Sequence, residues 1–282
     1  MYYRVDKHCP GRAGYFKQSP AVVHMSLLNP RDWISYAAKV KNVEVDVGEV
    51  VVITPIRSIF ESLLKHFKPE PWEKWIYKPE GRWGLWRASV YGLAVSFTHT
   101  GVGALELSFV EELAAVGASH FIFLGLAGGL GEEVEVGDLV VPTGGVCEDG
   151  FSQHYIPYGI AIDAREEHVE MMLQAAYACR LPARTGRVWS ISAPYRELEW
   201  KAAEYHGKWG CVAVEMEVCA LYALSKYLSV PAVALLAVSD VVYPLGRRRF
   251  GFHEAKLSST INSLPQVVEK YLAILAESKQ KR

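Results

Sequence analysis

Two short runs place acids where an apolar segment ordinarily excludes them. Glu215 and Glu217 flank Met216 between CVAV and VCALYAL, and Asp240 follows Ser239 after VALLAV. An ionised glutamate only accepts hydrogen bonds, so one carboxylate can hold two adjacent hydroxyls, as a ribose 2′,3′-diol offers. Methionine supplies a soft apolar floor for a sugar face. An aspartic acid beside a heterocycle can protonate a leaving nitrogen where burial keeps it protonated. Two more polar runs close apolar ones: His99-Thr100-Gly101-Val102-Gly103 after LAVSFT, and Gly125-Leu126-Ala127-Gly128-Gly129 after FIFL. Neither fits a dinucleotide or P-loop pattern. Singly, each run has an ordinary explanation, since acids complement a helix dipole, an Asp caps a helix and glycines turn a chain. Together they suit cleavage of an N-glycosidic bond, with cationic character stabilised at the anomeric carbon and the base made a better leaving group.

Strands must carry those runs, and the hydrophobic pattern supplies them. Glu49–Thr54 reads as a strand, Ser58–Phe67 as a helix, Leu93–Phe97 as a strand and Leu105–Val116 as a helix. Phe121–Leu124 is a strand ending in a GLAGGLG turn, followed by a strand at Asp138–Val141. Helices are expected at Glu167–Ala178, Cys219–Leu228 and Gln266–Glu277, with extended segments at Gly186–Ser190, Val212–Val214 and Pro231–Val238. Alternating strands and helices indicate an α/β fold, whose ligands gather at the carboxyl ends of strands. Residues 1–22 read as an irregular arm and 23–282 as one domain. Trp72, Trp75, Trp83 and Trp86 fall in a Pro- and Gly-broken stretch. It reads either as an aromatic loop packed on its own domain or as an oligomer contact, where Trp is enriched.

The 282 residues, half of them hydrophobic, suffice for one large domain or two small ones, and no linker divides them. With 30 Lys and Arg against 31 Asp and Glu there is no basic excess to drive binding of nucleic acid. Arg247-Arg248-Arg249 is a local run, either a solvated loop or a contact to an anionic substrate or neighbouring subunit. Five cysteines without a C-x-x-C pair speak against a disulfide framework and a zinc site, so buried reduced thiols are expected. The polar start MYYRVDKHCPGRAGY lacks the apolar core of a signal peptide, and no apolar run has the length of a bilayer span. The expectation is a soluble cytoplasmic protein without a membrane partner.

The ordered motifs VHMSL, PIR, THTGVG, GLAGGL…VEVGDLVVP, DGFSQHY, SAPYRE, VEMEVCAL and VSD resemble the nucleoside phosphorylase and nucleosidase superfamily, from about Val23 to Leu275. The resemblance implies a single-domain three-layer α/β/α sandwich with a mixed, partly barrel-like central sheet. It implies that Glu217 binds the ribose hydroxyls, Met216 packs beneath the sugar and Asp240 is the general acid at purine N7. His24 is then expected to reach a neighbouring subunit's 5′-hydroxyl, and Tyr195 to stack on base or sugar. Arg57, Thr100 and the N–H groups of Ala127 and Gly128 are the implied phosphate ligands, with Arg82 or Arg87 contributed by a neighbour. The phosphate loop departs from the family: Ile53 replaces its glycine, Phe123 a second arginine and Leu126 a threonine. The implied activity is phosphorolysis of a ribonucleoside, purine in preference, to free base and ribose 1-phosphate. The alternatives are hydrolysis by water on the same fold and nucleoside binding without catalysis. No metal or cofactor is implied beyond phosphate as co-substrate, and the assembly is expected to be a homo-oligomer, a dimer or a hexamer built from dimers.

Overall fold

A computed structural model of the chain describes residues 27–156, 161–243 and 249–280. The expected arm at 1–22, His24, Arg247 and Arg248 lie outside the described residues. The first half contains α1 (Pro30–Lys41), β1 (Val50–Thr54), α2 (Arg57–Phe67), β2 (Glu70–Trp72), β3 (Leu85–Val90), β4 (Leu93–His99), α3 (Phe109–Ala115) and β5 (His120–Leu130). Then come β6 (Leu139–Glu148), β7 (Ala161–Asp163), α4 (Glu166–Ala178), β8 (Ala183–Ile191), α5 (Glu199–Trp209) and β9 (Cys211–Glu215). The chain closes with α6 (Val218–Leu228), β10 (Ala232–Tyr243), β11 (Arg249–Phe250) and α7 (Ala255–Gln280).

All the strands belong to one mixed sheet. Its path runs β11-β10-β6-β8-β9-β5-β1-β4-β3-β2, and β10 also pairs with β5. That extra pairing closes β5, β10, β6, β8 and β9 into a five-stranded barrel, from which β1, β4, β3 and β2 extend as an open wing. Strand alternation feeds two cores. Val50 and Val52 of β1 point into a cluster with α2, α4 and α7, while Val51 and Ile53 point into one with α1, α3 and α6. β10 divides likewise, with Val233 and Leu235 on the first side and Ala234 and Leu236 on the second. A strand buried on both faces has to be apolar throughout, which is why VVVIT and AVALLAV read as continuous runs. The three layers expected from the resemblance are present.

Several elements differ from the sequence expectation. GLAGGL is no turn: β5 runs straight through it to Leu130. Its glycines serve close packing, for a Cβ on Gly125 would sit 2.8 Å from the Phe123 ring and one on Gly129 would sit 2.7 Å from Val134. β10 likewise continues past Val238, so Ser239 and Asp240 lie within a strand. The segment expected as one helix over Leu105–Val116 begins as a 3-10 turn, Ala104–Ser108, before α3. Ala104, Leu107 and Val110 are buried at intervals of three while Leu105 is exposed, the period of the tighter helix. α1 was not anticipated; its signals are the Asn29 cap, whose side chain accepts from Arg31 N–H, and Pro30 in the first turn.

The tryptophan-rich stretch packs on its own domain. Trp83 stacks on Phe109 with centroids 5.4 Å apart, and the indole N–H groups of Trp72, Trp75 and Trp86 donate to the carbonyls of Asp46, Trp83 and Pro79. Among the described residues no helix is long and apolar enough to cross a membrane.

A buried polar knot joins β5, α4 and α7. The Tyr271 hydroxyl lies 2.8 Å from His120 Nε2 and 2.9 Å from His168 Nδ1. One phenolic proton serves one ring and the other ring donates its own N–H, which suits two neutral imidazoles. Burial, then the neighbouring His168, holds His120 well below the ordinary histidine range. The unfolded chain takes up this proton near pH 6.5 and the folded chain does not. Its stabilisation is therefore complete above about pH 6.5 and declines by about 1.4 kcal/mol per pH unit as pH falls toward the depressed folded value. Urea midpoints measured on either side of that pH should fall on the acid side, and fall less steeply in His120→Gln.

Candidate active site

The site begins where β5 changes partners. On one edge β5 pairs in parallel with β1 as far as Phe123, and from Gly128 it pairs antiparallel with β9. Among the described residues no strand pairs on that edge between those two points. This is a switch point of the sheet, where ligands of α/β proteins gather and backbone groups remain free of the ladder. A pocket of about 240 Å³ opens there, lined by Pro55 and Ile56 after β1, Leu126, Ala127 and Gly128 of β5, and Val214–Glu217 at the end of β9. β10 closes the opposite side through a bulge: Val238 pairs with Ala127 and Asp240 with Gly128, so Ser239 is the extra residue. A bulge re-aims its side chain, and Ser239 lines the pocket. Asp240 stands directly behind, buried, accepting the Ser239 hydroxyl at 2.8 Å.

The two glutamates separate by function in the fold. Glu215 accepts the N–H groups of Glu217 and Val218 at 2.6 and 2.7 Å and the hydroxyl of Ser190. It satisfies the unpaired donors at the start of α6 and thereby fixes the turn carrying Met216. Glu217, at the N-cap position of α6, accepts the N–H of Gly103 at 2.5 Å. THTGVG and VEMEV, far apart in sequence, meet at this bond. Gly103 has φ 108°, in the region that favours glycine. Burial raises both carboxyls, and the nearby Glu215 raises Glu217 further, to about 8. The two titrate as a pair.

A second chamber, about 510 Å³, adjoins the first through the consecutive residues Ile56–Arg57 and Gly101–Val102. Arg57, Arg82, His99 and Thr100 line it, with Phe60 and Trp86 as apolar wall. Arg57 is well exposed and donates to Glu61 at 2.7 Å. Arg82 forms a two-pronged contact with Glu106 and lies over the Trp83 ring at 4.5 Å. Burial, then the Arg57 charge, lowers the His99 pKa, and its buried Nε2 has no hydrogen-bond partner. Arg87, within its own chain, pairs with Asp46 at 3.2 Å and covers Trp72.

Of the residues singled out in the sequence, Ala127, Gly128, Met216 and Glu217 share one pocket, with Asp240 behind its wall and Arg57 and Thr100 in the adjoining chamber. The backbone of Ala127 and Gly128 sits in a strand rather than a turn, and Gly128 is paired on both edges, with Asp240 of β10 and Val214 of β9. Tyr195 is 98% exposed and is not part of either wall, although its neighbours Pro194 and Glu197 line the pocket. Ile53 and Phe123 are fully buried in the core and offer nothing to an anion. Sequence reasoning missed Phe252, which also lines the pocket, and His99 as a chamber residue. An aromatic three residues beyond the Arg-rich run was the one signal for Phe252.

The fold has solved counterparts. A purine nucleoside phosphorylase from Toxoplasma gondii, crystallised with immucillin-H, superposes with a TM-score of 0.71 at 21% identity, covering 83% of this chain and 93% of that one. A 5′-methylthioadenosine/S-adenosyl homocysteine nucleosidase from Campylobacter jejuni gives 0.65 at 20% identity, covering 80% and 98%. By sequence the chain is 30% identical over 155 residues to a guanosine phosphorylase of Halorubrum lacusprofundi, covering 54% of this chain and 63% of that protein. It is 29% identical over 157 residues to a DeoD-type purine nucleoside phosphorylase of an Exiguobacterium species, covering 53% and 64%. The chain thus spans just under two thirds of the length of these curated relatives. The sequence profile of the phosphorylase superfamily matches residues 46–273, and the chain belongs to that superfamily.

Proposed function

We propose that the chain cleaves the N-glycosidic bond of a purine ribonucleoside with phosphate, releasing free base and ribose 1-phosphate. The observation that carries this reading is the convergence of Met216, Glu217 and the bulged Ser239 on the unpaired edge of β5, beside a chamber holding Arg57 and Thr100. The sugar rests on Met216 with its 2′,3′-diol on Glu217. The base lies toward Ser239, whose hydroxyl is bonded to Asp240, the source of the proton for N7 in this reading. Phosphate approaches from the chamber side, held by Arg57, Thr100 and the amide of Ala127. A phosphate oxygen bonds to C1′ as the C1′–N9 bond breaks, and its electron pair leaves with the protonated base. The names of the curated relatives, purine nucleoside and guanosine phosphorylases, support purine as the base.

The apolar replacements Phe123 and Leu126 favour a second reading, in which water is the nucleophile and the chamber holds no phosphate. Base release from inosine, adenosine, guanosine and uridine, with and without phosphate, separates the two. Strict dependence on phosphate is the expected result; release without it means hydrolysis, and nucleoside binding without turnover of any of them means a binding protein. A homo-oligomer, a dimer or a hexamer built from dimers, belongs to the same proposal. Val102 and Phe252 line the pocket and are exposed, an apolar rim that a second copy would cover.

A further inference from the structure

Behind the first turn of α6 lies a group of side chains that the proposed catalysis does not use. The alternation of β6 turns Gly145 and Cys147 to one face, and Asp149 follows just beyond the strand's end. Cys219, in the first turn of α6, comes down onto that face. The absent side chain of Gly145 makes room for it, since a Cβ there would lie 2.5 Å from the Cys219 sulfur. The two Sγ atoms and a carboxylate oxygen of Asp149 all lie within 4.8 Å of one another. Cys147, Cys219 and Asp149 are 2%, 0% and 6% exposed.

Asp149 is already oriented. Its Oδ1 accepts the N–H groups of Phe151 and Ser152 at 2.8 and 2.7 Å, and its Oδ2 accepts the Ser152 hydroxyl at 2.7 Å. Such outer hydrogen bonds hold a ligating carboxylate in place. Among the described residues no Lys, Arg or His pairs with this buried carboxylate, and a buried charge without a counter-ion is costly. Two sulfurs and one oxygen select a soft divalent ion over magnesium or calcium. Zinc bonded at about 2.3 Å to sulfur and about 2 Å to oxygen keeps its ligands under about 4.6 Å apart. The observed grouping needs only a small inward adjustment.

We propose that Cys147, Cys219 and Asp149 bind a thiophilic divalent cation, zinc in the first instance, that ties α6 to β6. Both thiols give up their protons to solvent as the two sulfur–metal bonds form, Asp149 supplies the third bond, and a water takes the fourth corner. The consequence reaches the pocket through one link. Cys219 N–H donates to Ser190 Oγ at 3.0 Å, and that hydroxyl donates to Glu215, the acid fixing the Met216 turn. The proposal is independent of which nucleophile the enzyme uses.

The test uses the full chain expressed with added zinc, assayed for bound metal after desalting, and titrated with cobalt after chelation. About one zinc per chain and a thiolate-to-cobalt charge-transfer absorption are expected. Both should be lost in Cys147→Ser and in Cys219→Ser and kept in Cys211→Ser, while Ser152→Ala should weaken zinc binding about 10- to 100-fold. The thermal midpoint of the wild-type chain should fall on chelation and return with zinc. Absence of both signals in the wild-type chain overturns the proposal without recourse to any variant that fails to fold. So does a cobalt band that survives in both serine variants, or an intact mass showing Cys147 and Cys219 already joined as a disulfide.

Discussion

Asparagine in place of Asp240 is expected to lower kcat for purine nucleosides about 100- to 10,000-fold, the contribution of a positioned proton donor. The substitution keeps the size of the side chain and an oxygen that can accept the Ser239 hydroxyl, now bonded at 2.8 Å. Stability should therefore change little, and a urea midpoint close to that of the wild-type chain shows that the fold is intact. What the amide lacks is an acidic proton for N7. The loss should be largest for nucleosides whose base leaves poorly, and should shrink for a substrate whose leaving group needs no protonation. Equal losses on both kinds of substrate, or turnover at the wild-type rate, would remove Asp240 from the acid role.

Glu217→Ala carries the second large effect. Hydrogen bonds to a charged group are worth about 1.5–3 kcal/mol each, so removing a two-hydroxyl clamp should weaken ribonucleosides by at least about 100-fold. A 2′-deoxynucleoside offers one hydroxyl fewer and should lose correspondingly less; the ratio of the two kcat/KM values is the measurement. Equal losses would assign Glu217 a purely structural part, through its bond to Gly103. The wild-type chain should also show a pH signature. The clamp accepts two hydroxyl protons only when ionised, and Glu217 is raised to about 8 by burial and by Glu215. Ribonucleoside affinity should accordingly rise with pH through neutrality toward that value. A profile already flat above about pH 5, where an ordinary glutamate is ionised, would show that the site does not raise this carboxyl.

The sequence made the layered architecture legible because strands buried on both faces have to be apolar along their length, and VVVIT and AVALLAV are. The barrel was legible only through the family resemblance. Its closure depends on β10 pairing with β5 on one edge and β6 on the other, and no local pattern encodes a ring. GLAGGL misled because glycine serves two purposes, permitting a turn and permitting close approach, and sequence alone does not separate them. Here Gly125 and Gly129 lie under Phe123 and Val134. Glu217 and Met216 stood out in the sequence as polar and soft residues ending an apolar run, and both line the pocket, whereas the task of Glu215 became visible only with the amides it receives. The grouping of Cys147 with Cys219 was hidden by their distance in the chain, since C-x-x-C spacing reveals only sites built on a single turn.

The packing of Phe123 over Gly125 also limits how this protein could change its chemistry. A family phosphate arginine restored at position 123 would replace a completely buried ring in the core behind β1, leaving a cavity's worth of lost packing and a guanidinium without a carboxylate. An arginine introduced there alone is thus expected to cost stability, as is a polar change at the equally buried Ile53, whereas Leu126 lines the pocket. Laboratory selection for a different acceptor should therefore find its first gains in the exposed chamber residues, Arg57 and Arg82, and not in the strand beneath them.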